Sequence, residues 1–199
     1  AYEKAAQALS KVRRRAAERL SQTITDAMQE LGMAGGRFVA TIHPAKEPRA
    51  DGMDDVDLLV AGHPGTEPKP IAKVASGGEL SRISLAIAIS TSQLGQAPTL
   101  IFDEIDSGIG GAVADAVGRV MHALGQDRQV LAVTHLAQVA ARGDTHLVVT
   151  KQRSKSGTSS HISAVNDDSR VDEIARMLGG VNITDTTRRH AAEMLALES

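Results

Sequence analysis

Two short apolar runs near the middle of the chain constrain its fold most strongly. Residues 99–102 (Thr-Leu-Ile-Phe) and 130–133 (Val-Leu-Ala-Val) have the length and composition of buried strands, and residues 112–124 between them have helical periodicity. Because uniformly apolar strands joined by a helix pair in parallel, this unit predicts an α/β fold with a mainly parallel sheet that helices cover on both faces.

Each of the two runs ends in side chains suited to phosphate chemistry. Asp103 and Glu104 follow the first run, and Thr134 and His135 follow the second. Ligands of open α/β sheets bind beyond the carboxyl ends of the strands, so we expect Asp103 to hold Mg²⁺, directly or through water, and Glu104 to act as a general base. His135 would donate to a terminal phosphate and orient water. A surface acidic pair and a hydrogen-bonded loop histidine are the alternatives.

A glycine turn precedes a further helix, predicted over residues 80–94 and apolar on nearly every side. Ser76 as N-cap, with Glu79 three residues later, forms a capping box that explains the turn locally. However, Gly77 and Gly78 would also leave backbone N–H groups bare at the positive end of the helix dipole, which suits a phosphate. Only the neighbouring motifs favour this second interpretation. Asp106 begins an acidic, glycine-containing loop that we expect to lie beside His135. The alternative is that this loop is a plain strand-to-helix connection.

The chain lacks the loop that usually cradles the phosphates of a nucleotide. Gly-x-x-x-x-Gly-Lys-[Ser/Thr] does not occur, and no glycine is followed by lysine. The motifs therefore predict half of a nucleotide site. Because the chain opens at Ala1, already inside a helical pattern, we expect it to be a fragment of a longer protein.

The remaining elements follow from periodicity and turn residues. A long amphipathic helix is predicted from Ala1 to a stop at Gly32, and it is the candidate end of a coiled coil. Strands are predicted at 38–42 and 56–60 around a polar loop, and at 147–150 and 162–165 around the polar loop 151–160. Helices at 171–178 and about 186–197 close the chain. The spacing of three and four in the first helix is carried by Leu9, Val12, Ala16, Leu20, Ile24, Ala27 and Leu31.

Composition excludes several other classes of function. The formal net charge of −2 gives no overall attraction to nucleic acid or anionic membrane, and three aromatic residues are too few for a base-stacking platform. The absence of cysteine excludes disulfides and thiolate chemistry, and no His-Glu-x-x-His or Gly-x-Ser-x-Gly motif is present. No apolar run is long enough to span a bilayer, so we expect a soluble, cytoplasmic protein with no membrane partner.

The ordered set of motifs resembles the C-terminal half of an ABC-type ATPase head of the SMC-like class. The set comprises Ser-Gly-Gly-Glu-Leu-Ser-Arg at 76–82, Phe-Asp-Glu-Ile-Asp-Ser-Gly-Ile-Gly-Gly at 102–111, Thr-His-Leu-Ala-Gln-Val-Ala at 134–140, and Val-Asp-Glu-Ile-Ala-Arg-Met-Leu-Gly-Gly at 171–180. Within that class, these runs look most like heads that act in bacterial recombinational repair of DNA double-strand breaks. The resemblance covers nearly the whole chain from Phe38, and residues 1–32 fit the returning helix of a coiled coil.

This resemblance implies a role for each candidate residue. Ser76, Gly77, Gly78 and Glu79 would form the signature loop, which contacts the γ-phosphate of ATP held by a partner head. Asp103 would be the Walker B ligand of Mg²⁺ and Glu104 the catalytic base. Asp106 would be a nucleotide-contacting residue of the D-loop that crosses the dimer interface, and His135 would be the switch histidine.

The resemblance also implies partners. Residues 33–199 would need the N-terminal half of the same head, which carries Walker A. They would also need a second head in an ATP-sandwiched homodimer, and DNA ends at the nucleoid. By itself the chain would be inactive. The alternatives are another SMC-like or ABC head, a transporter ATPase included, and a noncatalytic DNA-tethering module. Glu79 and the Ile105-Asp106 sequence count against a transporter, which usually has Gln at the first position and Pro-Ser or Pro-Thr at the second.

Overall fold

A computed structural model describes residues 1–74, 76–91, 97–154, 157–180 and 182–196. The helices are α1 (Tyr2–Glu30), α2 (Gly77–Ser90), α3 (Gly111–Gly125), α4 (Ala137–Ala141), α5 (Asp167–Gly179) and α6 (Asp185–Ala196). The strands are β1 (Arg37–Arg49), β2 (Gly52–Ala61), β3 (Lys69–Pro70), β4 (Thr99–Phe102), β5 (Gln129–Ala132), β6 (His146–Ser154) and β7 (Gly157–Val165). The ends predicted for α2 and α6 fall partly at 92–94 and 197, outside the described residues.

Helix α1 forms as predicted, but its large apolar side chains are buried near its C-terminal end and exposed in its first half. It ends before Gly32, whose φ of +76° is the left-handed conformation that glycine adopts most readily. Near this end Ile24 and Leu31 are buried in the main core, whereas Leu9 and Val12 in the first half are exposed. The C-terminal half of α1 therefore belongs to the head core, and continuation of its first half into a coiled coil stays a prediction.

The hairpin of β1 and β2 is longer than the sequence indicated. Phe38 pairs with Val60, and antiparallel pairing continues to Pro44 opposite Asp54 before a bulge shifts the register up to Arg49 opposite Gly52. The predicted polar loop around Pro44 is therefore strand, a correction with a simple cause. Strand β1 lies at the edge of the β1-β2-β3 sheet, where a missing proline N–H costs little and a bulge absorbs the irregularity.

The predicted parallel unit is present, with α3 connecting β4 to β5. The two strands pair in parallel over all four residues, from Thr99 opposite Gln129 to Phe102 opposite Ala132. One face is packed, since Phe102 is 6% exposed, but on the other face Ile101 is 70% exposed. The expectation of cover on both faces is thus wrong for the described residues. Parallel pairing is also confined to β4 and β5 there, because the other described strands pair antiparallel.

The C-terminal third adds a second hairpin and a small helical cluster. Strands β6 and β7 pair antiparallel without interruption from His146 opposite Val165 to Ser154 opposite Gly157, so most of the predicted loop 151–160 is strand. Helix α5 begins earlier than predicted because Asn166 and Ser169 form a capping box. Helices α4, α5 and α6 then enclose a small core around Ile174. Among the described helices, none combines the length and apolarity that a bilayer crossing requires.

A buried carboxylate fixes α1 on the hairpin, and it generates the first prediction. Ser10 Oγ donates its proton to the Asp54 carboxylate, at 2.7 Å from Oδ1 and 2.9 Å from Oδ2, and Arg13 Nη1 lies 3.1 Å from Oδ2. The Ser10 hydrogen bond, with Arg13 in support, outweighs burial and lowers the pKa of Asp54. A lowered carboxyl pKa stabilises the fold above the unfolded-state value of about 4, and that contribution disappears as the pH falls toward the folded-state pKa.

We therefore expect Asp54→Asn to lower the melting temperature at pH 7 and the gap from the wild type to narrow below about pH 4. Thermal unfolding followed by circular dichroism from pH 3 to pH 8 measures this gap. Asp57→Asn, on the same strand but with an exposed side chain, is the matched control and should behave like the wild type. A gap of constant size across this range would show that the ionised Asp54 does not stabilise α1 on the hairpin.

Candidate nucleotide site

The signature turn is built at the N-terminus of α2. Ser76 is the N-cap in extended conformation, and its Oγ accepts the backbone N–H of Glu79 at 3.3 Å. Glu79 Oε1 lies 3.2 Å from His63 Nε2 in the loop after β2. The side chain of Glu79 is therefore engaged by a neighbouring loop, a contact that was not predicted.

Both glycines of this turn lie against the loop at residues 103–108 of the same chain. A Cβ atom on Gly77 would clash with Oε2 of Glu104. A Cβ on Gly78 would lie 2.8 Å from Ser107 Cβ and 2.9 Å from Ser107 O, closer than packed atoms approach. Neither glycine has a positive φ, so close approach is the structural requirement at both positions.

The carboxylate pair leaves the end of β4 through a strained turn. Asp103 Oδ1 accepts the Glu104 backbone N–H at 2.9 Å, and Glu104 adopts a φ of +56°, which is uncommon for a residue other than glycine. Ser81 Oγ in α2 donates to the Asp103 carbonyl at 2.6 Å. Both carboxylates are exposed, and the one on Glu104 faces Gly77. The two side chains thus have different surroundings, as distinct roles require.

The Asp106 carboxylate faces inward and binds the end of β5. Asp106 is 3% exposed, and its Oδ2 accepts from Thr134 Oγ1 at 2.5 Å and from the His135 backbone N–H at 2.8 Å. His135 Nδ1 lies 3.0 Å from the same oxygen, while the imidazole itself is exposed. The carboxylate of Asp106 is thus engaged within its own chain, and contact with a nucleotide across a dimer interface stays a prediction.

This contact determines which nitrogen of His135 faces outward. An ionised carboxylate only accepts hydrogen bonds, so Nδ1 carries the proton and Nε2 remains on the exposed side of the ring. In a neutral ring Nε2 is an acceptor, and donation to a phosphate requires the doubly protonated ring. The role predicted from the sequence, donation from His135 to a phosphate, therefore requires that both ring nitrogens carry a proton.

The residues present fit Mg²⁺ bound together with phosphates. Among the described residues no cluster of three or more acidic or histidine side chains could enclose a metal ion. Mg²⁺ usually keeps several waters and takes only one or two protein carboxylates when phosphates share its coordination. Asp103, exposed and with one oxygen engaged by a backbone N–H, suits that kind of site.

Sequence reasoning missed the side chains that join these motifs. Ser81 and Arg82 lie within the quoted motif but received no role, although both contact the loop 103–108. No role was predicted for Thr134 or for His63. An arginine in a helix that is apolar on nearly every side was the available signal, because such a charge must be buried against some partner.

The geometry defines a class of protein, and solved structures share its fold. The SMC head domain of Pyrococcus yayanosii matches with a TM-score of 0.58 and 19% identity, over 79% of this chain and 28% of that one. A chain from work on ATP-driven dimerization and DNA-stimulated activation of SMC ATPases matches with a TM-score of 0.51 and 18% identity, over 87% of this chain and 99% of that one. The described chain has the fold of part of an SMC head.

Sequence comparison finds relatives with higher identity than these solved structures. The DNA repair protein RecN of Xylella fastidiosa is 46% identical over 196 residues, covering 98% of this chain and 35% of that protein. RecN of Deinococcus radiodurans is 45% identical over 193 residues, covering 97% and 34% respectively. No family model matches the chain. The chain is RecN-like along nearly its whole length, and it spans about a third of the length of these relatives.

The two glycines of the signature turn should respond differently to alanine. Gly78→Ala forces a methyl group onto the Ser107 backbone and should destabilise the fold by about 1–3 kcal/mol. Gly77→Ala meets only the movable end of Glu104, and alanine favours the helix by up to about 1 kcal/mol, so its stability should not fall. Denaturant unfolding of both variants measures the contrast, and equal losses of stability would contradict the packing described here.

Proposed function

We propose that this chain is the signature and Walker B part of the ATPase head of a RecN-like protein of the SMC class. The whole protein would hydrolyse ATP to ADP and phosphate and act in recombinational repair of DNA double-strand breaks. One observation carries the proposal: the loop 103–108 brings the signature turn, the carboxylate pair and the Asp106–His135 contact to one end of the β4–β5 unit.

The exposed apolar faces support a missing half of the head. Ile101 pairs in register with Leu131, and Val133 follows two residues later on the same face; these side chains are 70%, 42% and 62% exposed. On the second hairpin, Val149 pairs with Ile162, and both are about 60% exposed. Contiguous exposed apolar surface marks an interaction site. We propose that the N-terminal half of the head, with Walker A, covers these faces.

In this proposal each carboxylate has one task. Asp103 would bind Mg²⁺, which when bound to ATP neutralises charge on the β- and γ-phosphates. Glu104 would accept a proton from the attacking water, since its exposed carboxylate ends a strand where ligands of α/β sheets bind. The bond from Glu104 N–H to Asp103 holds the two residues in a fixed relation.

His135 would act at the outer edge of the same site. Asp106 fixes the ring through Nδ1, so the outward Nε2 can orient the water or, in the doubly protonated ring, donate to the γ-phosphate. We therefore assign Asp106 to the positioning of His135 within its own head. Ser76, Gly77, Gly78 and Glu79 would form the signature turn that contacts ATP held by a second head, with the backbone N–H groups of the two glycines at the positive end of α2.

Partners and location follow from the same assignment. ATP-driven dimerization is named for one solved SMC ATPase of this fold, and we propose that ATP likewise drives head association here. DNA ends would be the substrate on which the closed heads act, in the cytoplasm at the nucleoid. The exposed Leu9 and Val12 of α1 support its continuation into a coiled coil, with the opposite helix packed on that face.

Substitution of the two carboxylates tests this function directly in the full-length protein. Glu104→Gln keeps the size of the side chain but cannot take a proton, so hydrolysis should fall by roughly 10²- to 10⁴-fold while ATP still drives head association. Asp103→Asn should weaken Mg²⁺-ATP binding itself, because Mg²⁺ prefers charged oxygen ligands. Phosphate release and sedimentation with ATP, measured on each variant, separate the two. Wild-type turnover by Glu104→Gln would show that Glu104 is not the base.

The chain by itself should show no appreciable ATP hydrolysis. It contains no lysine after a glycine to contact the β- and γ-phosphates, and the proposal assigns that loop to the other half of the head. Phosphate release by the purified chain, compared with its Glu104→Gln variant, checks this expectation. Hydrolysis that depends on Glu104 in the isolated chain would contradict the half-site assignment.

A further inference from the structure

Arg82 is a buried cation that none of the roles above employs. It lies in the second turn of α2 and is 7% exposed, next to the fully buried Ile83. Burial lowers the pKa of its guanidinium, an effect that the charge of Glu79 opposes, and arginine nonetheless stays charged in proteins. The burial of this charge requires a physical explanation, because buried charges are costly unless they are well paired.

The guanidinium fills the space between the signature turn and the loop 103–108. Arg82 Nη1 donates to the Ser107 carbonyl at 2.9 Å and lies 3.5 Å from the Ile105 carbonyl. On the other side, a Cβ on Gly78 would lie 3.3 Å from the same nitrogen. One side chain thus holds two backbone carbonyls of the loop and lines the underside of the glycine turn.

Fold stability alone does not account for an arginine at this position. A cation near the N-terminal end of a helix is opposed by the helix dipole. Within the described part of the chain, Arg82 Nε has no hydrogen-bond partner, and the acceptors of Nη1 are neutral carbonyls rather than a carboxylate. An apolar side chain of similar length would fill the same volume without desolvating a charge. What it could not do is fix the two carbonyls.

We propose that Arg82 is a positioning residue for hydrolysis, which holds the loop 103–108, and with it Glu104 and Asp106, in register with the signature turn. This inference rests on the proposed function. In a head dimer the signature turn would serve ATP held by the partner head, whereas Glu104 would serve ATP held by its own head. Arg82 would then link the two nucleotide sites through a single chain.

Steady-state kinetics of the full-length protein test the functional half of this proposal. Arg82→Met keeps an unbranched apolar side chain, shorter than that of arginine, but removes every donor, and we expect kcat to fall by roughly 10- to 100-fold, as misplacement of a catalytic group does. The KM for ATP should stay within about twofold, because the Walker A side of the site is untouched. Arg82→Lys, which retains the charge and can donate to a single carbonyl, should recover part of kcat. Arg119→Met, the same change at an exposed ion pair on α3, is the matched control and should leave turnover unchanged.

Amide hydrogen exchange tests the structural half without any need for hydrolysis. The Ser107 N–H donates to the Glu104 carbonyl and the Ile109 N–H to the Asp106 carbonyl, so both report the order of the loop. In Arg82→Met both should exchange faster, while amides in the middle of α2 keep their protection. If no version of the protein hydrolyses ATP, the proposed function fails and the role of Arg82 in hydrolysis fails with it, while exchange still decides whether Arg82 holds the loop 103–108.

Three results would overturn the proposal. The first is wild-type kcat and unchanged exchange in Arg82→Met. The second is a parallel loss of ATP binding and turnover with faster exchange throughout α2, which would make Arg82 a general structural residue. The third concerns Arg82→Lys and applies if Arg82→Met does not fold. The proposal then predicts a reduced kcat and faster exchange of the Ser107 amide in Arg82→Lys. Wild-type values of both in that variant would refute the proposal.

Discussion

The contact of the first turns of α2 with the loop 103–108 is the interaction on which the rest of the site depends. Gly78 permits the approach, and Ser81 and Arg82 fasten it through hydrogen bonds to backbone carbonyls at 2.6 and 2.9 Å. Because these acceptors are main-chain atoms, the contact fixes the backbone path of the loop 103–108 rather than the rotamer of a single side chain. The direction of Glu104 and the inward turn of Asp106 both follow from that path.

The described chain contains only part of the proposed nucleotide site. The described chain supplies carboxylates, an imidazole and a glycine turn, whereas its parallel strands leave Ile101 and Val133 uncovered on one face. The proposed function assigns the cover of these strands and the phosphate loop to the other half of the head. Under that proposal assembly is coupled to chemistry, because the surface that needs a partner and the residues that would contact ATP belong to the same unit.

The local sequence pattern predicted the positions of helices and strands well, but it predicted less well which of their faces are buried. Strand β4 and the stop of α1 at Gly32 follow from short-range chemistry, and both were predicted correctly. The extension of β1 past Pro44 was missed because an edge position tolerates a proline that a central strand would not. Cover on both faces of the sheet was missed because apolar sequence reports the tendency to be buried, not the presence of a partner. The inward turn of Asp106 and the contact from His63 to Glu79 depend on tertiary approach and have no sequence signal of their own.

We propose that these residues form part of an ATPase and not of a passive tether. The most direct test is Mg²⁺-dependent phosphate release by the full-length protein, measured with and without linear duplex DNA. We expect steady hydrolysis that requires Mg²⁺ and increases when DNA ends are present. A full-length protein that binds DNA ends but releases no phosphate above background, under either condition, would contradict it and would favour a noncatalytic DNA-tethering module.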